Sequence, residues 1–309
     1  MDTFIQQLIN GLVLGSMYAL VALGYTMVYG VLNLINFAHG DVLMIGAMVG
    51  LSILKLLDMY VPGLPGYVML MIAIIGAIPI CMLVNIIIER VAYRRLRNAP
   101  RLAPLITAIG VSYLLTTFAM MIWGRSPLSF PQLLSTEPIS IGGAVISQTQ
   151  VLLLALALLS MGALVMLVEK TKMGRAMRAT AENPRVAGLM GVDSNKVIVA
   201  TFAIGAALAA IAGVMWGANY SSIQFAMGFL PGLKAFCAAV LGGIGNIYGA
   251  MIGGILLGLI EALGAGYIGD LTGGFLGSHY QDIFAFVVLI IVLTVRPSGI
   301  MGERVADRA

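Results

Sequence analysis

The sequence predicts an all-α protein, a polytopic transmembrane helical bundle of about eight membrane segments, two of them interrupted or re-entrant. Three observations carry this. Of 309 residues, 60% are hydrophobic and only 10% are charged, with a mean hydropathy of +1.02. A water-soluble fold of this length could not cover its surface with that composition. Eleven of the seventeen Lys and Arg residues fall in two short stretches, Arg90 to Arg101 and Lys170 to Lys196. Apolar runs near the roughly 20 residues that cross a bilayer recur along the chain.

Those runs are Phe4 to Tyr29, Gly40 to Leu57, Gly66 to Ile88, Leu102 to Trp123, Val151 to Val168, Val197 to Ala218, Lys234 to Leu263 and Asp282 to Val295. The first lacks a basic n-region and a small-residue cleavage site, so it reads as a retained span. Cationic residues in short loops beside spans mark the cytoplasmic side, which places both basic stretches inside and Arg125 to Gln148, with one Arg and one Glu, outside. The net charge of +4 is accounted for in this way. The expected partner surface is membrane lipid and not nucleic acid. Residues 1–309 read as one transmembrane domain, with 169–196 a cytoplasmic loop. Cys81 and Cys237 lie in separate apolar runs and read as small core residues without a redox role.

The chain is cytoplasmic at Lys196 and again at Arg296, Arg304 and Arg308, so an even number of crossings must lie between. Only three apolar runs occur there. The middle one, Lys234 to Leu263, is too long for one straight span and too short for two, and Gly242, Gly243, Gly245 and Asn246 interrupt it. Glycine raises the cost of helix and Asn competes for backbone hydrogen bonds, which predicts a broken helix or a re-entrant hairpin. Asn33, Asn36, His39, Gly40 and Asp41 interrupt the early apolar sequence in the same way. Paired interruptions in the two halves point to a translocation pathway, because unwound backbone at membrane depth must be satisfied by protein or by a water-filled cavity. Small residues at four-residue spacing (Gly11, Gly15, Ala19; Gly205, Ala209, Gly213, Gly217; Gly245, Gly249, Gly253) read as close helix contacts within the chain, with a subunit interface as the alternative.

Catalytic parts are missing from the sequence. There are two histidines, His39 and His279, and no HExxH, nucleophile elbow, Cys/His metal cluster or G-x-x-x-x-G-K-[ST] phosphate loop. No catalytic residue, metal or cofactor is expected, and any ATP that drives the protein is hydrolysed by another subunit. His39 reads as a ligand or proton site, or as a satisfied polar group beside a helix break. Asp41 reads as a cap or first-turn carboxylate of the following helix. Glu261 is costly in lipid, but Gly258 to Gly266 looks like a helix end, so an interfacial position is expected. Glu89 with Arg90 reads as a cytoplasmic span terminus, and Lys234 as snorkelling outward from a helix start. Tyr18, Tyr25 and Tyr29 fit either a cavity lining or an interfacial belt.

The most specific local signal is Glu182-Asn183-Pro184-Arg185-Val186-Ala187-Gly188-Leu189-Met190-Gly191. Asn183 can cap a helix that starts at Pro184, and Gly191 can end it. Val186, Leu189 and Met190 then form one apolar face, with Glu182 and Arg185 wet. Two turns do not hold alone in water, so this helix needs a surface, either lipid headgroups or a groove in a cytoplasmic motor.

The runs GYTMVYGVLNLINFAHGD, ERVAYRRLR, LITAIGVSYLL, MGRAMRATAENPRVAGLMGVDSNKVIVATFAIGAALAAIAGV, GLKAFCAAVLGGIGNIYGAMIGGILLGLIEAL and RPSGIMG resemble the LivH-type permease of bacterial ABC importers for branched-chain amino acids. The likeness covers nearly the whole chain. It implies the ABC importer permease fold, a bacterial inner-membrane location, and partnership with a LivM-like permease, two ABC ATPase subunits and a soluble substrate-binding protein outside. It also implies that the helix at Pro184 to Met190 is the coupling helix. The implied substrate is a zwitterion such as leucine, isoleucine or valine. Its carboxylate would suit the N-terminal end of a half-helix and its ammonium free backbone carbonyls, both placed at the two breaks. The alternatives are the same architecture carrying another small polar solute, and a secondary transporter using His39, Asp41 or Glu261 as a proton relay.

Overall fold

The computed structural model describes residues 2–97, 99–100, 102–134, 138–141, 143–271, 281–296 and 298–302. His279, Arg101, Arg304 and Arg308 lie outside them. The helices are α1 (Asp2–Leu32), α2 (His39–Tyr60), α3 (Gly66–Ile88), a π-helical turn (Glu89–Tyr93) running into α4 (Arg94–Leu96), α5 (Leu102–Trp123), α6 (Gln148–Lys170), α7 (Lys172–Glu182), α8 (Pro184–Leu189), α9 (Ser194–Tyr220), α10 (Phe229–Gly242), α11 (Ile247–Leu271) and α12 (Gln281–Val295). Seven of these stretches are long and apolar enough to cross a membrane, and α10 and the apolar part of α12 are shorter. The architecture is the expected helical membrane bundle.

The expected run Lys234 to Leu263 divides into α10 and α11, and α10 starts earlier, at Phe229. The two are antiparallel: Gly242 lies against Gly249, and Gly253 against Ala238. This supplies the missing return, made by the 14-residue α10 and the stretch before it and not by a full-length span, so Arg296 comes back to the end where Lys196 begins.

Contacts at the two ends fix which loops belong together. Arg97 Nη1 donates to Asn195 Oδ1 at 2.6 Å, joining the two basic loops at one end. At the other end strand β1 (Leu128–Ser129) pairs antiparallel with β4 (Ser222–Ile223), and β2 (Pro138–Ile141) with β3 (Ala144–Ser147). Gln6 clasps Val145 there through two hydrogen bonds, 2.9 and 2.8 Å. The N-terminus of α1 therefore lies at the end opposite the two basic loops.

Helix α1 runs through the middle of the bundle, and its Gly-rich face meets α11. A Cβ on Gly15 would lie 2.7 Å from Ile255 Cα, and one on Gly11 2.8 Å from Leu259 Cα, so backbone packs on backbone. Gly213 faces Leu43 and Ala47 of α2, and Gly249 faces Gly242, so these stripes serve contacts within the chain. Cys81 and Cys237 are buried free thiols.

Three expectations are corrected. Glu89 does not end a span. It is fully buried, and the helix continues through the π-helical turn because Arg97, eight residues on, reaches back to form an ion pair with it. Glu261 is not interfacial: α11 continues to Leu271 and leaves it 3% exposed. Lys234 does not snorkel outward, since it is buried in the second turn of α10 with carboxylate partners inside the bundle.

Candidate functional site

Helix α1 ends where Asn33 takes a left-handed φ of +53°, a conformation in which Asn is the least strained of the larger side chains. The chain then climbs back through Asn36, which is 2% exposed and whose Oδ1 accepts from Tyr93 Oη at 2.8 Å. Ala38 occupies the cap position, and His39 and Asp41 lie in the first turn of α2, deep in the bundle. His39 sits against Gly24 with its ring 4.9 Å from that of Tyr25, and neither ring nitrogen has an aligned hydrogen-bond partner among the described residues. Gly40 permits a close backbone approach, because a Cβ there would stand 2.7 Å from Gly232 Cα at the start of α10. Asp41, 2% exposed, lies 3.3 Å from Thr116 Oγ1 of α5, a hydroxyl that also has the Ser112 carbonyl in reach at 3.0 Å.

Two cavities follow the same side of this break. One of about 430 Å³ is lined by Tyr25 and Phe37, by Ser112 and Thr116 of α5, and by Phe229 and Leu233 of α10. The other, about 530 Å³, lies nearer the basic end between Tyr29, Asn33, Leu34 and the start of α5 at Pro104 and Leu105. Tyr25 and Tyr29 are thus cavity-lining, whereas Tyr18 is a core residue. Sequence reasoning passed over Ser112 and Thr116, although two polar residues four apart in an apolar span share one helical face.

Gly242, Gly243, Gly245 and Asn246 form the turn between α10 and α11, with Gly243 at φ +109° and Gly245 at +96°. Asn246 Oδ1 accepts from Gly249 N at 3.0 Å, and its Nδ2 donates to Met301 O at 3.0 Å. This second break lines neither large cavity. Gly245 reaches the end of α1 beside Gly30 and borders a smaller crevice of about 100 Å³ with Met177 and Arg178. The two interruptions therefore meet at the foot of α1 and not in one chamber.

A polar cluster that the sequence reading did not assemble ties four helices together. Lys234 Nζ donates to Glu261 Oε1 at 2.7 Å and stands 2.6 Å from Asp282 Oδ1, a charge contact off line for a hydrogen bond. Tyr18 Oη donates to Glu261 Oε2 at 3.0 Å. Near the basic end, the Glu89–Arg97 pair, Tyr93 with its ring tilted 5.5 Å from that of Phe202, and the Asn195 contact link the π-helical turn to the foot of α9.

The loop before α9 folds as its caps dictate. Asn183 Oδ1 accepts from Arg185 N and Val186 N, Pro184 is the first residue of α8, and Gly191 leaves it at φ +86°. Ala187 is buried against the protein, whereas Val186, Leu189 and Met190 are 53%, 87% and 81% exposed. Glu182, Arg185, Gly188 and Gly191 are exposed as well. Asp193 caps α9, and the backbone N–H of Lys196 holds its carboxyl below the ordinary value.

Residues 7–293 match the family model described as branched-chain amino acid transport system, permease component. The chain is 46% identical to the high-affinity branched-chain amino acid transport system permease protein BraD of Pseudomonas aeruginosa, over 97% of this chain and 96% of that protein. It is 44% identical to the corresponding permease protein LivH of Escherichia coli, with the same shares covered. PsaBC from Streptococcus pneumoniae, solved in complex with Fab, shares the fold at a TM-score of 0.50 and 14% identity, covering 96% of this chain and 92% of that one. Seven membrane-length helices among the described residues, a cavity beside a broken helix and a capped loop helix with an exposed apolar face accord with these likenesses: the chain belongs to the family of branched-chain amino acid transport system permease components, a multi-pass membrane transport protein.

Proposed function

We propose that this chain is the LivH-type permease subunit of an ATP-driven importer that carries leucine, isoleucine and valine across the bacterial inner membrane. It works beside a LivM-like permease, two separate ABC ATPase subunits and a soluble outer binding protein. The observation that carries this reading is α8, a two-turn helix whose caps hold it while its apolar face, Val186, Leu189 and Met190, stands exposed and covers nothing among the described residues. A helix this short needs a docking surface. Its neighbours α7 and α9 are continuous with the bundle, so a push on α8 reaches the spans that flank the cavities. Asn33, Asn36, His39, Gly40 and Asp41 then line or shape the translocation pathway, with Gly242, Gly243, Gly245 and Asn246 as the turn at its foot.

The test is co-purification from native membranes with wild type and with Leu189→Asp, Met190→Asp. Wild type retains an ATPase and a second permease, and the double variant loses the ATPase while keeping the permease. If the variant retains the ATPase, α8 is not the docking element. If the wild-type chain moves leucine in liposomes without ATP, the importer reading falls.

A further inference from the structure

Asp41 is a carboxylate at mid-bundle, 2% exposed, and among the described residues no Lys or Arg pairs with it. Lys234, the one cation of α10, is already committed to Glu261 and Asp282. An ionised carboxylate out of water without a counter-charge is expensive, and in a membrane protein such a group marks a functional position whose partner has to be found. Its place in the first turn of α2 gives it partial compensation from the helix dipole. By the same token the N-terminus of α2 already carries a negative group, so the expectation that this helix end receives a substrate carboxylate is unfavourable on charge grounds.

The space beside Asp41 is chemically divided. Its hydrogen-bond partner Thr116 lines the 430 Å³ cavity together with Ser112, so one wall is polar. Tyr25, Phe37, Ile109 and Leu233 make the remaining walls largely apolar. The volume lies within the roughly 300–1,000 Å³ usual for small-molecule pockets.

We propose that Asp41 is the ammonium anchor of a substrate subsite opening from this cavity, with Ser112 and Thr116 completing the polar wall and the apolar walls receiving an aliphatic side chain. Asp41 lies behind the Thr116 hydroxyl and not on the cavity surface, and it is reached when Thr116 turns its hydroxyl to the Ser112 carbonyl. The substrate brings the counter-charge that the described residues do not supply. The subsite selects primary ammonium compounds with a branched aliphatic tail, and the ammonium rather than the carboxylate is the group read at this depth. The inference rests on the importer reading and adds to it the residue that reads charge.

The experiment uses the whole importer purified in detergent, without its binding protein. Two probes are compared by thermal unfolding: 3-methylbutylamine, which has the ammonium and the tail, and 4-methylpentanoate, which has the carboxylate and the tail. The amine is expected to raise the unfolding midpoint and the carboxylate to leave it unchanged. Asp41→Asn abolishes the amine shift and lowers leucine uptake in proteoliposomes by about tenfold or more, the scale of one lost hydrogen bond to a charged group. Should Asp41→Asn fail to assemble, Ile109→Trp keeps the carboxylate, fills the apolar side and must also abolish the shift. Equal shifts with both probes, or an amine shift that survives either variant, overturn the proposal. Failure of the importer reading shows separately, as wild-type uptake that needs no ATP.

Discussion

Replacing Lys234 by Met should damage the bundle more than a single buried side chain usually does, because two carboxylates share that one cation. Glu261, 3% exposed, would lose its 2.7 Å ion pair and keep only the Tyr18 hydroxyl at 3.0 Å. Asp282, about a third exposed, can turn to solvent or headgroups, so the stranded charge is that of Glu261. Removing one member of a buried pair costs about 3–5 kcal/mol. At roughly 1.5 °C per kcal/mol for a chain of 309 residues, the unfolding midpoint falls by about 5–8 °C. The protein contains its own reporters, since Cys81 and Cys237 are its two cysteines and both are buried, so a thiol-reactive fluorophore reads unfolding directly. The double variant Lys234→Met, Glu261→Gln removes the stranded charge while leaving Tyr18 an acceptor, and it should recover about half of the loss or more, a coupling of roughly 2–3 kcal/mol. A single variant within 2 °C of wild type, or a double variant less stable than the single, would refute the reasoning.

Gly15→Leu should prevent folding or leave a chain that aggregates in detergent, since even a Cβ there would press on Ile255 Cα at 2.7 Å. Gly162→Leu, with nothing near its Cβ on exposed α6, should behave as wild type in size-exclusion chromatography. Tyr93→Phe removes the only hydrogen bond that the described residues give the buried Asn36 side chain, with an expected loss of about 1–3 kcal/mol in thermal unfolding; an unchanged midpoint would show that Asn36 finds another partner. Asp193 titrates below its ordinary value of 3.8, held first by the Lys196 backbone N–H. A folded value below the unfolded one means that its capping contribution is present above the ordinary value and is lost as pH falls through the depressed one. NMR shifts of the Asn195 and Lys196 amides should follow that titration and lose it in Asp193→Asn.

The spans were legible because apolar runs near bilayer length need no partner to be recognised, and α8 was legible because Asn183, Pro184 and Gly191 are local signals. What failed was pairing across helices. Glu261 looked like a helix end because Gly258 and Gly266 flank it, and in water glycines do unwind helices. In lipid an unwound backbone has no partner, so the helix persists and Gly258 serves instead to let Gly15 approach. Lys234 and Glu261 are 27 residues apart on different helices, a separation over which no periodicity operates. Glu89 was misplaced for a related reason, since its partner Arg97 folds back across a π-helical turn that the residues Glu89–Tyr93 do not announce. At the candidate site the break at Asn33 to Asp41 was readable from its composition. That α5 supplies the facing wall, and that the second break lines a different crevice, were not.

The turn after α10 carries a consequence for how the protein is made. The carbonyls of Leu241 and Gly242, left open where the helix stops, accept from Ile300 N and Met301 N, each at 2.9 Å. These donors lie more than fifty residues downstream, beyond α11 and α12. While the chain is being synthesised, α10 therefore emerges with an end that nothing yet made can close, in surroundings where open carbonyls are poorly tolerated. The half-length helix has to wait in a provisional arrangement until α12 is inserted and residues 300–302 fold back onto it. Closure of α10 is in this sense timed by the synthesis of a segment made only after α11 and α12.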